Sequence, residues 1–368
     1  MRILLLGEYS NVHATLAKAL RALGHEVLVV SNGDFWKDYP RDIDLSRKGG
    51  RYDGIKYLLK TYSLLPRLRG YDVVQIINPM FLELKAERIF PIYKYLRRHN
   101  KRMVLGAFGM DYYWVSTCCD KKPLRYSDFN FGDQLRTDAD AIAMRADWLG
   151  TSKERLNHMI ATDCDAIVSG LYEYDVCYRM HFPDKTTHIP FPIELKKSAQ
   201  ASYRQGDKLR LFIGVNTARS AYKGTDIMLQ AAEAAARRWP DKIELRVARS
   251  VPFDTYRQMM EGSDAILDQL YSYTPSMNPL EAMSKGIICI GGGEPEAYDL
   301  IGEHELRPII NVLPNYDSVY HAIEQLALHP ERIAVLQQQS IEYIHRHHDS
   351  AKVANQYLDL WNSITPTT

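Results

Sequence analysis

The 368-residue chain lacks a long apolar run: no stretch reaches the roughly 18 continuous apolar residues that a spanning helix needs. The opening MRILLLGEYS is too short for a secretory signal, and no small-residue cleavage site follows it. Cysteine is sparse. Cys118, Cys119, Cys164, Cys177 and Cys289 form an odd set without metal-ligand spacing, which predicts reduced thiols in a cytosolic protein. Neither a phosphate-loop pattern nor GxGxxG is present, so the simplest nucleotide fingerprints are excluded. What is present suits a folded chain: 46% of residues are apolar and 25% charged, and the length allows two domains, each with its own core.

Net charge is also nearly absent, at +1, yet it is unevenly spread. Residues 1–110 carry nineteen Lys and Arg against ten Asp and Glu, so the remainder is acidic. The run KYLRRHNKR at 94–102 holds part of this excess, and 47–69 holds more among Tyr and Leu. A solvated helix face explains such a run, and so does a surface for anionic lipid or a phosphorylated acceptor, with Lys94, Arg97, Arg98 and Lys101 as contacts. No recognition motif accompanies the charge, so nucleic acid is not an expected partner.

The chain alternates strand and helix. Residues 3–6 form an apolar run, Gly7 breaks it, and Val12, Leu16, Leu20 and Leu23 recur at helical spacing. Asn11 is a candidate cap for that helix, Gly24 a candidate stop, and 27–30 the next strand. Strands over 73–77, 103–107 and 166–169 continue the series, with helices over 85–99 (Pro91 a candidate kink) and 153–162. The connection from Asp111 to about Asp140 is long for an α/β unit and rich in aromatics, including Tyr112, Trp114, Tyr126, Phe129 and Phe131. THIPFPI at 187–193 suits a link, and a second βα series follows from Leu209. The expected architecture is α/β, with two Rossmann-like domains and a cleft between them: 1–190, 191–350, and a C-terminal helix at 351–368 packing back on the first domain.

Three patches in the second series lie at strand ends, where open α/β sheets bind ligands. NTARSAYKG places Arg219 and Lys223 in a loop before a helix, as a diphosphate would require. In YSYTPSMNPLEAMSKG, Asn278 can cap a helix with Pro279 first and Glu281 third, so Glu281 either completes the cap or holds ribose hydroxyls. In GGGEPEAYDLIG, glycines 291–293 allow a backbone to approach a ligand closely.

In this order the patches resemble the family-4-type retaining glycosyltransferases of the GT-B fold. That family carries Arg and Lys-Gly after the first strand of its C-terminal domain, then Glu-x7-Glu, then GG-x-P-E. This chain carries Arg219 and Lys223-Gly224, then Glu281, then Gly292-Gly293-Glu294-Pro295-Glu296. GHEV at 24–27 and HHDSAKVANQYLDLW near the carboxyl end extend the likeness over nearly the whole chain.

The resemblance implies Arg219 and Lys223 as catalytic residues that bind the donor diphosphate and stabilise the leaving group. It implies donor contacts from Glu281 to ribose, from the backbone of Ser276, Met277 and Asn278, and from Gly292 and Gly293. The implied reaction retains anomeric configuration, uses a nucleotide sugar as substrate and a saccharide or lipid-linked acceptor, and needs no cofactor or metal. Two departures stand out. Tyr273, counted among the donor-binding positions, occupies the place of the first Glu of Glu-x7-Glu, and Phe108-Gly109-Met110-Asp111 replaces a His-containing HG-x-D. The first loop, after Gly7, reads Glu8-Tyr9-Ser10-Asn11 instead of Gly-Gly, leaving Gly7, His13 and Asp111 as acceptor-side candidates. The expected location is cytoplasmic, at the inner face of a membrane. Rival readings are a non-catalytic GT-B nucleotide- or glycan-binding protein or scaffold, or another two-domain α/β protein such as a sugar epimerase or a clamshell binding protein.

Overall fold

A parallel strand covered on both faces has no polar side, so it appears in sequence as an unbroken apolar run. The computed structural model describes residues 1–195, 203 and 206–365. In it, the apolar runs form β1 (Arg2–Leu6), β2 (Glu26–Ser31), the short β3 (Ile43–Asp44), β4 (Val73–Ile76) and β5 (Met103–Ala107). A two-stranded antiparallel ribbon follows, β6 (Asn130–Phe131) and β7 (Gln134–Leu135), then β8 (Ala166–Ser169) and β9 (Thr186–His188). Without the ribbon, these seven strands make an all-parallel sheet in the order β3-β2-β1-β4-β5-β8-β9. The second series, β10 (Leu209–Val215), β11 (Ile243–Arg249), β12 (Ala265–Leu267), β13 (Ile288–Gly291) and β14 (Ile310–Asn311), makes a parallel sheet ordered β11-β10-β12-β13-β14.

The chain divides into two compact units. The first gathers the described residues of Met1–Pro123, Ala143–Pro192 and Ser350–Thr368; the second gathers those of Leu124–Ile142 and Ile193–Asp349. In the first unit, helix Val12–Ala22 packs against the last helix, Ser350–Ser363, which buries Val353, Ala354, Tyr357 and Trp361. Arg102 Nε donates to the Ile364 carbonyl at 2.9 Å just past that helix. In the second unit, helix Thr225–Arg238 sets Met228, Ala231, Ala232 and Ala235 in one core with Leu211 and Ile213 of β10. Small alanines at this spacing let the helix lie close to the sheet.

Three expectations change at this level. Asn11 stands at the N-cap of Val12–Ala22, but in a left-handed conformation (φ 72°) and without a side-chain cap bond. The buried Glu8 carboxylate does that work, accepting the amides of His13 (3.2 Å) and Ala14 (2.8 Å). The connection expected from Asp111 to Asp140 is largely ordered: helix Tyr112–Asp120, the ribbon, then the start of helix Ala139–Trp148. Leu124–Ile142 also belongs to the second unit, although the sequence series places it in the first. Its own side-chain contacts account for this, as the site shows.

Candidate functional site

The carboxyl ends of β10, β12 and β13, adjacent in the second sheet, carry the three patches. After β10 the chain makes a 3-10 turn, Thr217–Arg219, and a single helical turn, Ser220–Lys223. Gly224 then takes φ 70°, where a Cβ would lie 2.8 Å from the Leu270 Cβ. Only glycine meets both the left-handed backbone and the close neighbour. The Leu270 amide donates to the Lys223 carbonyl at 3.0 Å, tying the loop after β10 to the loop after β12. Arg219 is exposed, with its guanidinium 5.0 Å from the Tyr222 ring centre. The Tyr222 hydroxyl donates to Asp128 Oδ2 at 2.6 Å.

After β12, Tyr273 is buried and Ser276 precedes the two-turn helix Met277–Met283. The capping geometry differs from expectation. Ser276, not Asn278, stands at the N-cap, and its side chain makes no cap bond. Asn278 lies inside the helix and donates from Nδ2 to the Tyr256 hydroxyl at 2.8 Å. Glu281 does not reach back to an amide; its Oε1 pairs with Lys285 Nζ at 3.0 Å and Arg257 Nη2 at 3.5 Å. Met277 is buried at the first position.

After β13 the glycines serve the chain's own packing. A Cβ on Gly292 would lie 2.0 Å from the Ser272 carbonyl oxygen, and one on Gly293 would lie 2.6 Å from the Ile309 side chain. The Gly293 amide donates to Asn311 Oδ1 at 3.0 Å. Close approach is therefore required here, but to the backbone of Ser272 and the side chain of Ile309 in the same unit.

The residues that the motif reading missed come from Leu124–Ile142. The Arg125 amide donates to the Tyr273 hydroxyl at 2.7 Å, and the Arg125 guanidinium lies 5.1 Å from the Tyr273 ring centre. The same guanidinium bonds Glu294 Oε2 at 2.6 Å and pairs with Glu296. Tyr126 donates its hydroxyl to Glu294 Oε1 at 2.5 Å and packs its ring 4.9 Å from that of Tyr273. Further along, the Arg136 guanidinium sits 3.9 Å from the Tyr271 ring centre. Burial pushes the Tyr273 phenol up to about 12 against the pull of Arg125, so it stays protonated. Where the resembled family has a carboxylate, this chain has a neutral phenol held by an arginine from a segment far away in sequence. The aromatic density of that segment was the available signal; its partners were not.

The acceptor-side candidates lie in the first unit. Gly7 (φ 81°) ends β1, and a Cβ there would lie 2.3 Å from the Ile77 side chain. His13 does not line an opening. It is fully buried, its Nδ1 2.8 Å from the Gly7 carbonyl and its Nε2 3.2 Å from Gln75 Nε2, and burial holds its pKa down to about 4. Asp111 is likewise buried. Its Oδ1 caps helix Tyr112–Asp120 through the Trp114 amide at 2.9 Å, and its Oδ2 accepts the Tyr178 hydroxyl at 2.7 Å. Burial raises its pKa to about 7, against those two bonds. Both side chains are committed to the fold. The residues after Gly7 are unusual instead: Ser10 (φ 52°) and Asn11 are consecutive left-handed non-glycine residues, with the Ser10 amide held by Asp34 Oδ2 at 2.8 Å.

Residues 212–359 match the family model described as glycosyl transferase-like. Sucrose-phosphate synthase from Thermosynechococcus elongatus superposes with a TM-score of 0.64 at 12% identity, over 98% of both chains. HepE from Anabaena, in complex with UDP and glucose, superposes with a TM-score of 0.58 at 12% identity, over 99% of this chain and 100% of its own. The chain has the GT-B fold. A putative UDP-N-acetylglucosamine 2-epimerase from Listeria monocytogenes has the fold too (TM-score 0.55, 13% identity, 97% and 94% coverage), so the fold alone does not fix the chemistry. No curated protein sequence matches the chain.

In this GT-B chain three Asp-x-Asp pairs, Asp42-x-Asp44, Asp138-x-Asp140 and Asp163-x-Asp165, share the spacing of a metal-binding motif, and one carboxylate of each has a structural partner. Asp42 accepts the Val29 amide at 2.7 Å, Asp138 accepts the Ala141 amide at 3.0 Å, and Asp165 takes both Arg97 nitrogens at 2.6 and 2.8 Å. His347 of the carboxyl-terminal histidine cluster bonds Glu303 at 2.6 Å.

Proposed function

We propose that the protein is a retaining glycosyltransferase. It moves a sugar from a nucleoside-diphosphate sugar to a saccharide or lipid-linked acceptor, without a metal, in cell-envelope polysaccharide or glycolipid synthesis at the cytoplasmic face of a membrane. The supporting observation is the convergence of Arg219 and Lys223, the Tyr273–Asn278 loop and Gly292–Gly293 on three adjacent strand ends, within the stretch that matches the glycosyl transferase-like family. Breaking the bond between sugar and diphosphate places negative charge on the leaving phosphate; fixed cations at Arg219 and Lys223 stabilise it. In the retaining reaction that phosphate also takes the acceptor proton, so no protein base is needed and the burial of His13 and Asp111 is tolerated. Glu281 meets the ribose, exchanging its contacts to Lys285 and Arg257 for hydroxyl groups. At the sugar end, Tyr273, held by Arg125, takes the place of one carboxylate. HepE binds UDP and glucose, which makes UDP-sugars the first donors to try.

One observation favours a second reading. Because the Tyr273 hydroxyl already accepts the Arg125 amide, the second reading is a GT-B module that holds a nucleotide or glycan without turnover. A thermal-shift screen against nucleotide sugars and nucleoside diphosphates, followed by donor hydrolysis, separates the two. The transferase stabilises with one donor and hydrolyses it slowly; stabilisation without hydrolysis or transfer selects the binding module; no stabilisation by any nucleotide contradicts the transferase and a nucleotide-binding module alike.

A further inference from the structure

Helix Asp53–Leu64 of the first unit turns an apolar stripe outward. Only Tyr57 and Thr61 are buried from it. Ile55, Leu59 and Tyr62 recur at i, i+4 and i+7, and so share one face. They are 60%, 66% and 41% exposed, and Tyr52, one turn earlier, is 58% exposed. A helix of a soluble domain normally lays such a stripe on its core.

The charge around the stripe is of one sign. Lys56 stands next to Ile55 and is exposed. Arg51 lies 5.8 Å from the Tyr52 ring centre. Lys60, also exposed, anchors the helix to the Asp44 carbonyl at 2.5 Å. Residues 47–69 hold seven Lys and Arg and a single acidic residue, Asp53, whose carboxylate Arg47 pairs at 2.7 Å. An apolar stripe flanked by cations, with its one carboxylate already neutralised, complements the interface of an anionic bilayer: hydrocarbon below, phosphate above.

We propose that this face is a membrane-docking surface, laying Tyr52, Ile55, Leu59 and Tyr62 into the interfacial zone of an anionic bilayer with Arg51 and Lys56 at headgroup phosphates. The basic run at 94–102 is a weaker candidate, because Arg97 is paired with Asp165 and Lys101 with Asp72. The purpose of docking, delivery of a lipid-linked acceptor, rests on the transferase reading; the docking itself does not.

The test is co-sedimentation of the full chain, without donor, with vesicles of equal parts phosphatidylglycerol and phosphatidylcholine and with phosphatidylcholine alone. The native chain binds the mixed vesicles and binds phosphatidylcholine several-fold less. Ile55→Ser with Leu59→Ser lowers the partition constant for the mixed vesicles by about tenfold or more while leaving the melting temperature unchanged, since both side chains are exposed. Lys56→Glu weakens binding to the mixed vesicles alone. Failure of the native chain to bind, or equal binding by the double serine variant, overturns the proposal. So does a lipid-free dimer that the double variant dissociates, because the stripe is then a self-association face. Donor hydrolysis measured without vesicles keeps this outcome separate from failure of the transferase reading.

Discussion

At the scale of single residues, buried ionisable groups hold the fold, and their ionisation shows it. His188 is partly buried beside Ser169, with Asp175 and Arg179 near it, and desolvation lowers its pKa from 6.5 to about 4. A depressed folded-state value means that the neutral ring supplies stability above pH 6.5, which is lost as pH falls towards 4. Glu8 and Asp111 run the other way. Their values, raised by burial to about 8 and about 7, give stability that is present at low pH and lost as pH rises through those values. His188→Gln isolates one side of this balance. Urea melts at pH 7 and pH 4 will show the variant gaining on the native chain by about 3 kcal/mol on acidification. A constant difference across that range would mean that His188 charges freely in the folded chain. None of this was legible in sequence, where His13 and Asp111 drew attention through motif position and His188 only through its place in a link.

At the scale of elements, legibility followed burial. β1, β2, β4 and β5 were readable because burial on both faces makes most of their positions apolar, Gln75 of β4 being a buried exception. Helix Tyr112–Asp120 was not, because a helix that buries Tyr113, Trp114, Val115, Thr117, Cys118 and Cys119 has no polar face to set the period. Helix Asp53–Leu64 was obscured for the opposite reason: its apolar side chains face solvent. The segment Leu124–Ile142 was hardest, since its place depends on contacts more than a hundred residues away. Arg125 bridges it to Glu294 and Glu296, and Glu294 is buried. Arg125 itself is half-exposed, so its loss costs only about 1–2 kcal/mol globally. Locally it frees the segment. In Arg125→Ala, limited proteolysis will cut within 124–142 several-fold faster than in the native chain; an unchanged cleavage pattern would show that the aromatic contacts of Tyr126 and Arg136 suffice.

At the scale of the whole molecule, two parallel-sheet units account for the GT-B likeness, and the strand-end patches of the second lie within the stretch that matches the glycosyl transferase-like family. That order was visible in sequence because each patch follows an apolar strand. What each patch contacts was not visible: Glu281 among cations, Gly292 against the Ser272 carbonyl, Tyr273 against Arg125. The central claim is that the cations after β10 stabilise a departing diphosphate. The most direct measurement is the donor-hydrolysis rate of Arg219→Ala and Lys223→Ala, using the nucleotide sugar that stabilises the native chain. Each variant should lose about 10²-fold or more, on the order of 3 kcal/mol of transition-state stabilisation, with its melting temperature unchanged. Near-native hydrolysis in both variants would contradict the account.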